Sequence, residues 1–167
     1  LLAETDPPVA RRLLAELAAG AGPAGMIAGQ VADMDLCPVP DGLEGLRYIH
    51  LHKTAALIRA AARMGAICAG APAPVLEAIS EYARSLGLVF QLVDDLLDVI
   101  GEAAELGKTA GKDAARGKRT HAAEVGLEEA RRLAERLTGE AVEALGPLGR
   151  RGVRLRRLAE LLVERTR

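Results

Sequence analysis

The segment Ser85 to Gly101, SLGLVFQLVDDLLDVIG, carries three aspartates and no other charged residue between Arg84 and Glu102. On an α-helix each residue turns the direction by about 100°, so with Gln91 as origin Asp98 falls at roughly −20°, Asp94 at roughly −60° and Asp95 at roughly +40°. They form one stripe, with Gly87 on the same line, which reads as backbone-close access beside the acids. Leu88, Val89, Leu92, Val93, Leu96, Leu97, Val99 and Ile100 occupy the other directions. The helix is apolar except for this stripe, so the carboxylates sit inside a segment that otherwise favours burial. Like charges at i,i+4 oppose a helix by about 0.2–0.5 kcal/mol, and burying unpaired carboxylates costs several times more, so a cation has to neutralise them. Clustered carboxylates beside a side-chain amide are all-oxygen ligands and suit a hard divalent ion, Mg²⁺, with water and a substrate phosphate completing its octahedron. The plainer alternative is a solvated acidic edge, but such an edge mixes Lys, Arg and Glu along its whole length.

The 167 residues make a single-domain length, and the chain begins Leu1-Leu2 rather than with Met, as expected of a fragment or a processed form. Abundant Ala, Leu and Arg, with Tyr48, Tyr82 and Phe90 as the only aromatics, point to an all-α protein. A formal charge of −1 argues against a general nucleic-acid binder. Cys37 and Cys68 are too few for a disulfide scaffold, so reduced thiols and a cytoplasmic location are expected. The longest uncharged stretch, Leu17 to Ala32, is Gly-rich, contains Pro23 and is shorter than the ~20 residues of a membrane span, so a soluble protein without stable membrane insertion is expected. Nearly all basic residues are Arg. Lys is confined to Lys53, beside His50 and His52, and to Lys108, Lys112 and Lys118 after the acidic helix. Compact ammonium groups suit phosphate oxygens.

Along the chain, Pro7 to Ala19 reads as a helix with Val9, Leu13, Leu14 and Leu17 on one side. Gly20 to Asp35 reads as a loop entering a helix on which Gln30 and Asp33 share a face, and Cys37 to Gly42 as a turn. Leu43 to Gly70 is expected as one helix with the apolar stripe Leu46, Ile49, Leu57, Met64 and Ile67. On it His50, Lys53 and Thr54, at i, i+3 and i+4, share a face that can hold a phosphate, while His50 and His52 taken alone read as structural histidines. Pro74 to Gly101 is the acidic helix and Glu102 to Thr120 a Gly- and Lys-bearing loop able to fold over an anion. A helix from His121 to Ala144, a break at Gly146 to Gly152 and an amphipathic helix from Val153 to Arg165 complete a single domain over residues 1–167.

Four blocks carry a resemblance: GMIAGQVADM (Gly25 to Met34), IHLHKTAALI (Ile49 to Ile58), GLVFQLVDDLLDV (Gly87 to Val99), and LGKTAGKD followed by RGKRT (Leu106 to Thr120). In this order and spacing they resemble the C-terminal half of the trans-isoprenyl diphosphate synthases (polyprenyl synthetases) of the farnesyl and geranylgeranyl type. The resemblance implies a helical bundle of the isoprenoid synthase type, here a partial domain with its N-terminal helices missing. It implies a transferase that condenses an allylic diphosphate with isopentenyl diphosphate in the complete protein. Asp94, Asp95 and Asp98 match the family's second aspartate-rich motif, which holds Mg²⁺. Lys53, Thr54, Gln91 and Lys108 match positions that contact or support the diphosphate, Lys118 matches a basic residue of the closing loop, and Asp113 is a supporting partner there. Departures are Ala28 where Gly is common, Ala55 where the motif reads KTG, and His121 where an aromatic residue usually follows. The family's first aspartate-rich motif and its upstream basic residues have no counterpart in the sequence. The chain alone is therefore expected to be inactive in elongation, pairing with a missing N-terminal segment or, as the family does, forming a homodimer. The alternative is a non-catalytic regulatory or binding subunit that partners a complete synthase.

Overall fold

The computed structural model describes residues 6–106 and 120–165, the side chains of 102–106 excepted. Lys108, Lys112, Asp113 and Lys118 lie outside the described residues, so their expected part in a closing loop is not placed. Among the described residues every regular element is helical. In chain order these are α1 (Pro7–Ala21), α2 (Met26–Asp33), α3 (Gly42–Ile49), a π-helical turn (His50–Ala55), α4 (Ala56–Cys68), α5 (Ala73–Leu106), α6 (His121–Val125), α7 (Leu127–Ala144), a 3₁₀ segment (Gly146–Gly152) and α8 (Val153–Glu164).

The acidic helix is the axis of the bundle. Helix α5 packs on α4, the π-turn, α6, α7 and α8, and its apolar residues supply most of the core. Ile79, Tyr82, Ala83 and Leu86 meet Ala141, Leu145 and Ala159; further along, Val89, Leu92 and Val93 meet Ala134 and Val163; Leu96 then meets Ala122 and Ala130. Large residues on α5 fit against alanines of α7, so the two helices interlock closely, with bulk on one side and space on the other. Tyr82 is 1 % exposed, and its hydroxyl donates to the Leu155 carbonyl at 2.8 Å, fixing α8 to α5.

Three boundaries and one buried face differ from the sequence expectation. Helix α5 runs past Gly101 to Leu106, because one exposed glycine with helical neighbours on both sides costs only about 1 kcal/mol. The helix expected over Leu43 to Gly70 is interrupted by the π-turn. The one expected over His121 to Ala144 breaks at Gly126, whose φ is +85°. On α1, Leu13 is buried as expected, but Leu14 and Leu17 are 51 % and 43 % exposed, and the helix meets α4 through Gly20 against Ala60.

Candidate active site

The π-turn is held between two glycines. A Cβ on Gly29 of α2 would fall on the Lys53 backbone, and one on Gly87 of α5 would come within 2.5 Å of the Ala55 Cα. Gly87 therefore lets two helices touch; it is buried between them and is not the ligand access expected from its place on the acidic stripe. An i→i+5 turn adds a residue to the helical ladder and rotates the side chains after it. His50 and Thr54 thus both face α5, while Lys53 turns to α2. His50 Nε2 lies 3.8 Å from Asp95 Oδ2, and Thr54 Oγ1 donates to Gln91 Oε1 at 3.1 Å. Lys53 Nζ meets Asp33 Oδ2 at 2.5 Å, at a pair where both side chains are more than a third exposed. The single face expected for His50, Lys53 and Thr54 is split by the added residue.

The aspartates of the stripe are separated by depth. Asp95 is 2 % exposed, Asp94 half-buried and Asp98 exposed. Gln91 Nε2 donates to Asp95 Oδ1 at 3.3 Å, giving a relay Thr54–Gln91–Asp95 from the π-turn into the core. The His121 backbone N–H donates to Asp95 Oδ2 at 3.4 Å. Thr120 sets that donor in place, its hydroxyl capping α6 by accepting from the Ala123 N–H at 3.1 Å. Burial pushes the His121 imidazole below its ordinary pKa, with Glu124 opposing and Arg47 reinforcing the shift. His52, expected as structural, stacks on Tyr48 at 4.0 Å between ring centroids and pairs with its carbonyl at 2.8 Å.

The arrangement presents two acids on the outer edge of α5, one turn apart, with Thr54 and Gln91 beside them and an ammonium on α2's side of the π-turn. Asp94 and Asp98 are hard oxygen donors on consecutive turns with access to solvent, a set that fits Mg²⁺. Two residues that sequence reasoning assigned no site role, Asp33 and His121, contact the predicted residues directly. Their signal was faint: Asp33 was visible as sharing a face with Gln30, and His121 as a departure from an aromatic position.

The family model described as Polyprenyl synthetase matches residues 10–145. The chain belongs to the polyprenyl synthetase family. Its bundle is accordingly an all-α fold of the isoprenoid synthase type. Geranylgeranyl pyrophosphate synthase 11, chloroplastic, of Arabidopsis thaliana is 51 % identical over 137 residues, covering 80 % of this chain and 38 % of the plant protein. The apo structure of an FPP/GFPP synthase from Zymomonas mobilis superposes with a TM-score of 0.79 at 32 % identity, covering 95 % of this chain and 52 % of that one. A geranyltransferase from Helicobacter pylori 26695, complexed with magnesium and isoprenyl diphosphate, does so with a TM-score of 0.74 at 28 % identity, covering 98 % and 54 %. This polyprenyl synthetase chain thus spans from about two fifths to about half the length of the relatives it matches. Among its described residues no helix is long and apolar enough to cross a membrane.

Proposed function

We propose that this chain is the part of a prenyl diphosphate synthase that binds the allylic diphosphate, acting in Mg²⁺-dependent condensation with isopentenyl diphosphate. The observation that carries the reading is the π-turn, which brings Thr54 to Gln91 on the acidic helix and leaves Lys53 as an exposed cation nearby. Asp94 and Asp98 would hold the metal, and Asp95, the motif's remaining acid, anchors Gln91 from within. When bound, Mg²⁺ supplies Lewis-acid neutralisation of the charge that collects on pyrophosphate as it leaves. Lys53 adds a compact positive charge to that anion, exchanging its partner Asp33 for phosphate oxygens. Thr54 and Gln91 fix each other's rotamers, so that the remaining Thr54 acceptor sites and the Gln91 amide are set before substrate arrives. Phe90, the exposed neighbour of Gln91 on α5, suits contact with the prenyl tail and helps keep water from the allyl cation. Lys108 and Lys118 belong to the same reading as further diphosphate contacts.

The reading extends to a homodimer and to a reducing compartment such as the cytoplasm, the latter consistent with the unpaired thiols of Cys37 and Cys68. It is tested by calorimetric titration of the chain with geranyl diphosphate, with and without Mg²⁺. Saturable binding is expected only with the metal, and D94A or D98A should weaken it by at least about tenfold. Equal binding by wild type and both variants would sink the metal assignment.

A further inference from the structure

The innermost acid of the motif belongs to a second constellation that the prenyl-transfer reading does not use. His50 of the π-turn, Asp95 of α5 and His121 of α6 converge from three elements, each less than a tenth exposed, with one ligand-type atom apiece lying within 4.8 Å of the others. The two imidazole rings are 5.3 Å apart between centroids and tilted by 33°. We propose that these three residues form a site for a borderline transition-metal ion of the zinc or cobalt class, distinct from the Mg²⁺ edge at Asp94 and Asp98.

Two imidazoles and one carboxylate are the donor set of a three-ligand zinc centre and a poor match for Mg²⁺, which takes oxygen. A tetrahedral ion with bonds of about 2.0–2.2 Å holds its ligands about 3.3 Å apart, so each pair of side chains needs to close by at most ~1.5 Å. His50 Nε2 and Asp95 Oδ2, at 3.8 Å, are already near that spacing. Among the described residues His121 Nδ1 is buried with no hydrogen-bond partner, a polar atom left unsatisfied on a ring of the cluster. Asp95 is oriented by Gln91 Nε2 from outside the cluster and by the His121 backbone N–H from within it, the kind of support that fixes metal ligands.

An entry path is present. His50 and His121 line a cavity of about 190 Å³ together with Arg47, Arg84, Arg136 and Glu140, while Asp95 lies behind them. A fourth ligand would come from this side. Arg84 is engaged by Glu81 at 3.1 Å, but Arg47 and Arg136 leave the cavity wall basic, so an anionic fourth ligand is favoured over water. His121, which brings both an imidazole and a backbone N–H to Asp95, supplies the most informative variant.

The test is titration of the metal-stripped chain with Co²⁺, read by visible absorption. One equivalent should give an intense tetrahedral ligand-field band that Zn²⁺ bleaches and excess Mg²⁺ leaves unchanged. H121F, which replaces the imidazole with a ring that cannot coordinate, should lose the band and lower Zn²⁺ affinity by more than about 100-fold, while D94N/D98N should keep both. H121Q, which preserves a polar group, should behave like H121F, with circular dichroism of each variant showing that it is folded. No band at one equivalent, a band that survives in the folded His121 variants, or one lost in D94N/D98N would overturn the proposal. Loss of diphosphate binding in D94N/D98N with an intact cobalt band is the expected result, because Asp94 and Asp98 belong to the Mg²⁺ reading alone.

Discussion

Arg63 reaches two helices at once. Its Nε and Nη2 donate to the two Glu16 carboxylate oxygens at 2.8 and 2.7 Å, and its Nη1 donates to Ser80 Oγ at 2.5 Å, tying α1 and α5 to α4. The Arg63 hydrogen bond holds Glu16 below its ordinary pKa of 4.5, against the desolvation that would raise it. A depressed carboxylate pKa stabilises the fold above its unfolded value, so this contribution is complete above about 4.5 and is lost as pH falls through the lower folded value. Because both side chains are about one fifth exposed, solvent screening limits the gain, and E16Q should cost about 1 kcal/mol at pH 7 and progressively less below pH 4 in urea melts. Tyr82 has the opposite window: burial pushes its phenol up to about 12 from 10.0. Its stabilisation is fully present below pH 10 and lost as pH rises through about 12. Y82F should remove that alkaline sensitivity, at a cost near neutrality of about 1 kcal/mol for the lost hydrogen bond to Leu155. A steep loss of Y82F stability between pH 10 and 12 would contradict the assignment.

Among the helices the π-turn is the feature on which the site depends. Nothing in HLHKTA marks it: the six residues contain neither Gly nor Pro and have ordinary helical character. Periodicity read through them at 3.6 residues per turn put His50, Lys53 and Thr54 together, and the added residue sends Lys53 toward Asp33 instead. The constraint comes from the neighbours, since Gly29 and Gly87 press on the turn from opposite sides. G87A should drive Ala55 away, destabilise the protein by about 1–3 kcal/mol and weaken Mg²⁺-dependent diphosphate binding through the displaced Thr54. Wild-type binding and stability in G87A would show that the turn is not held this way. The acidic helix, in contrast, was legible along its central length, because a run of apolar residues interrupted on one stripe leaves few ways to pack.

At the scale of the whole chain, apolar surface remains uncovered on the first two helices and beyond: Leu14 and Leu17 of α1, Ile27 of α2, and Met34 and Leu36 after it are all more than two fifths exposed. Helices α1 and α2 are in contact, so much of this surface is shared by neighbours. Surface of that kind favours association, and size-exclusion chromatography should show the isolated chain eluting as more than a monomer; a sharp monomer peak at micromolar concentration would argue otherwise. Incubation with geranyl and isopentenyl diphosphates should give little or no elongated product from this chain alone, since it brings a single DDxxD motif to neutralise the departing pyrophosphate. Robust turnover would refute that.

The amino-acid sequence by itself determined the helical class, the central place of the Gln91–Asp98 stretch and the family, because each rests on local spacing and on ordered blocks that one chain displays without its neighbours. The depth of each aspartate, the split of the lysine from its helix-mates and the meeting of His50 with His121 were decided only by tertiary structure. The last pair lies 71 positions apart in the chain, and a helix's periodicity does not report which of its faces another element will cover. On QLVDDLLD the angular spread between Asp94 and Asp95, about 100°, looked small enough for one stripe. Packing of α6 and the π-turn over one flank of that stripe is what turned the same 100° into the difference between solvent and core.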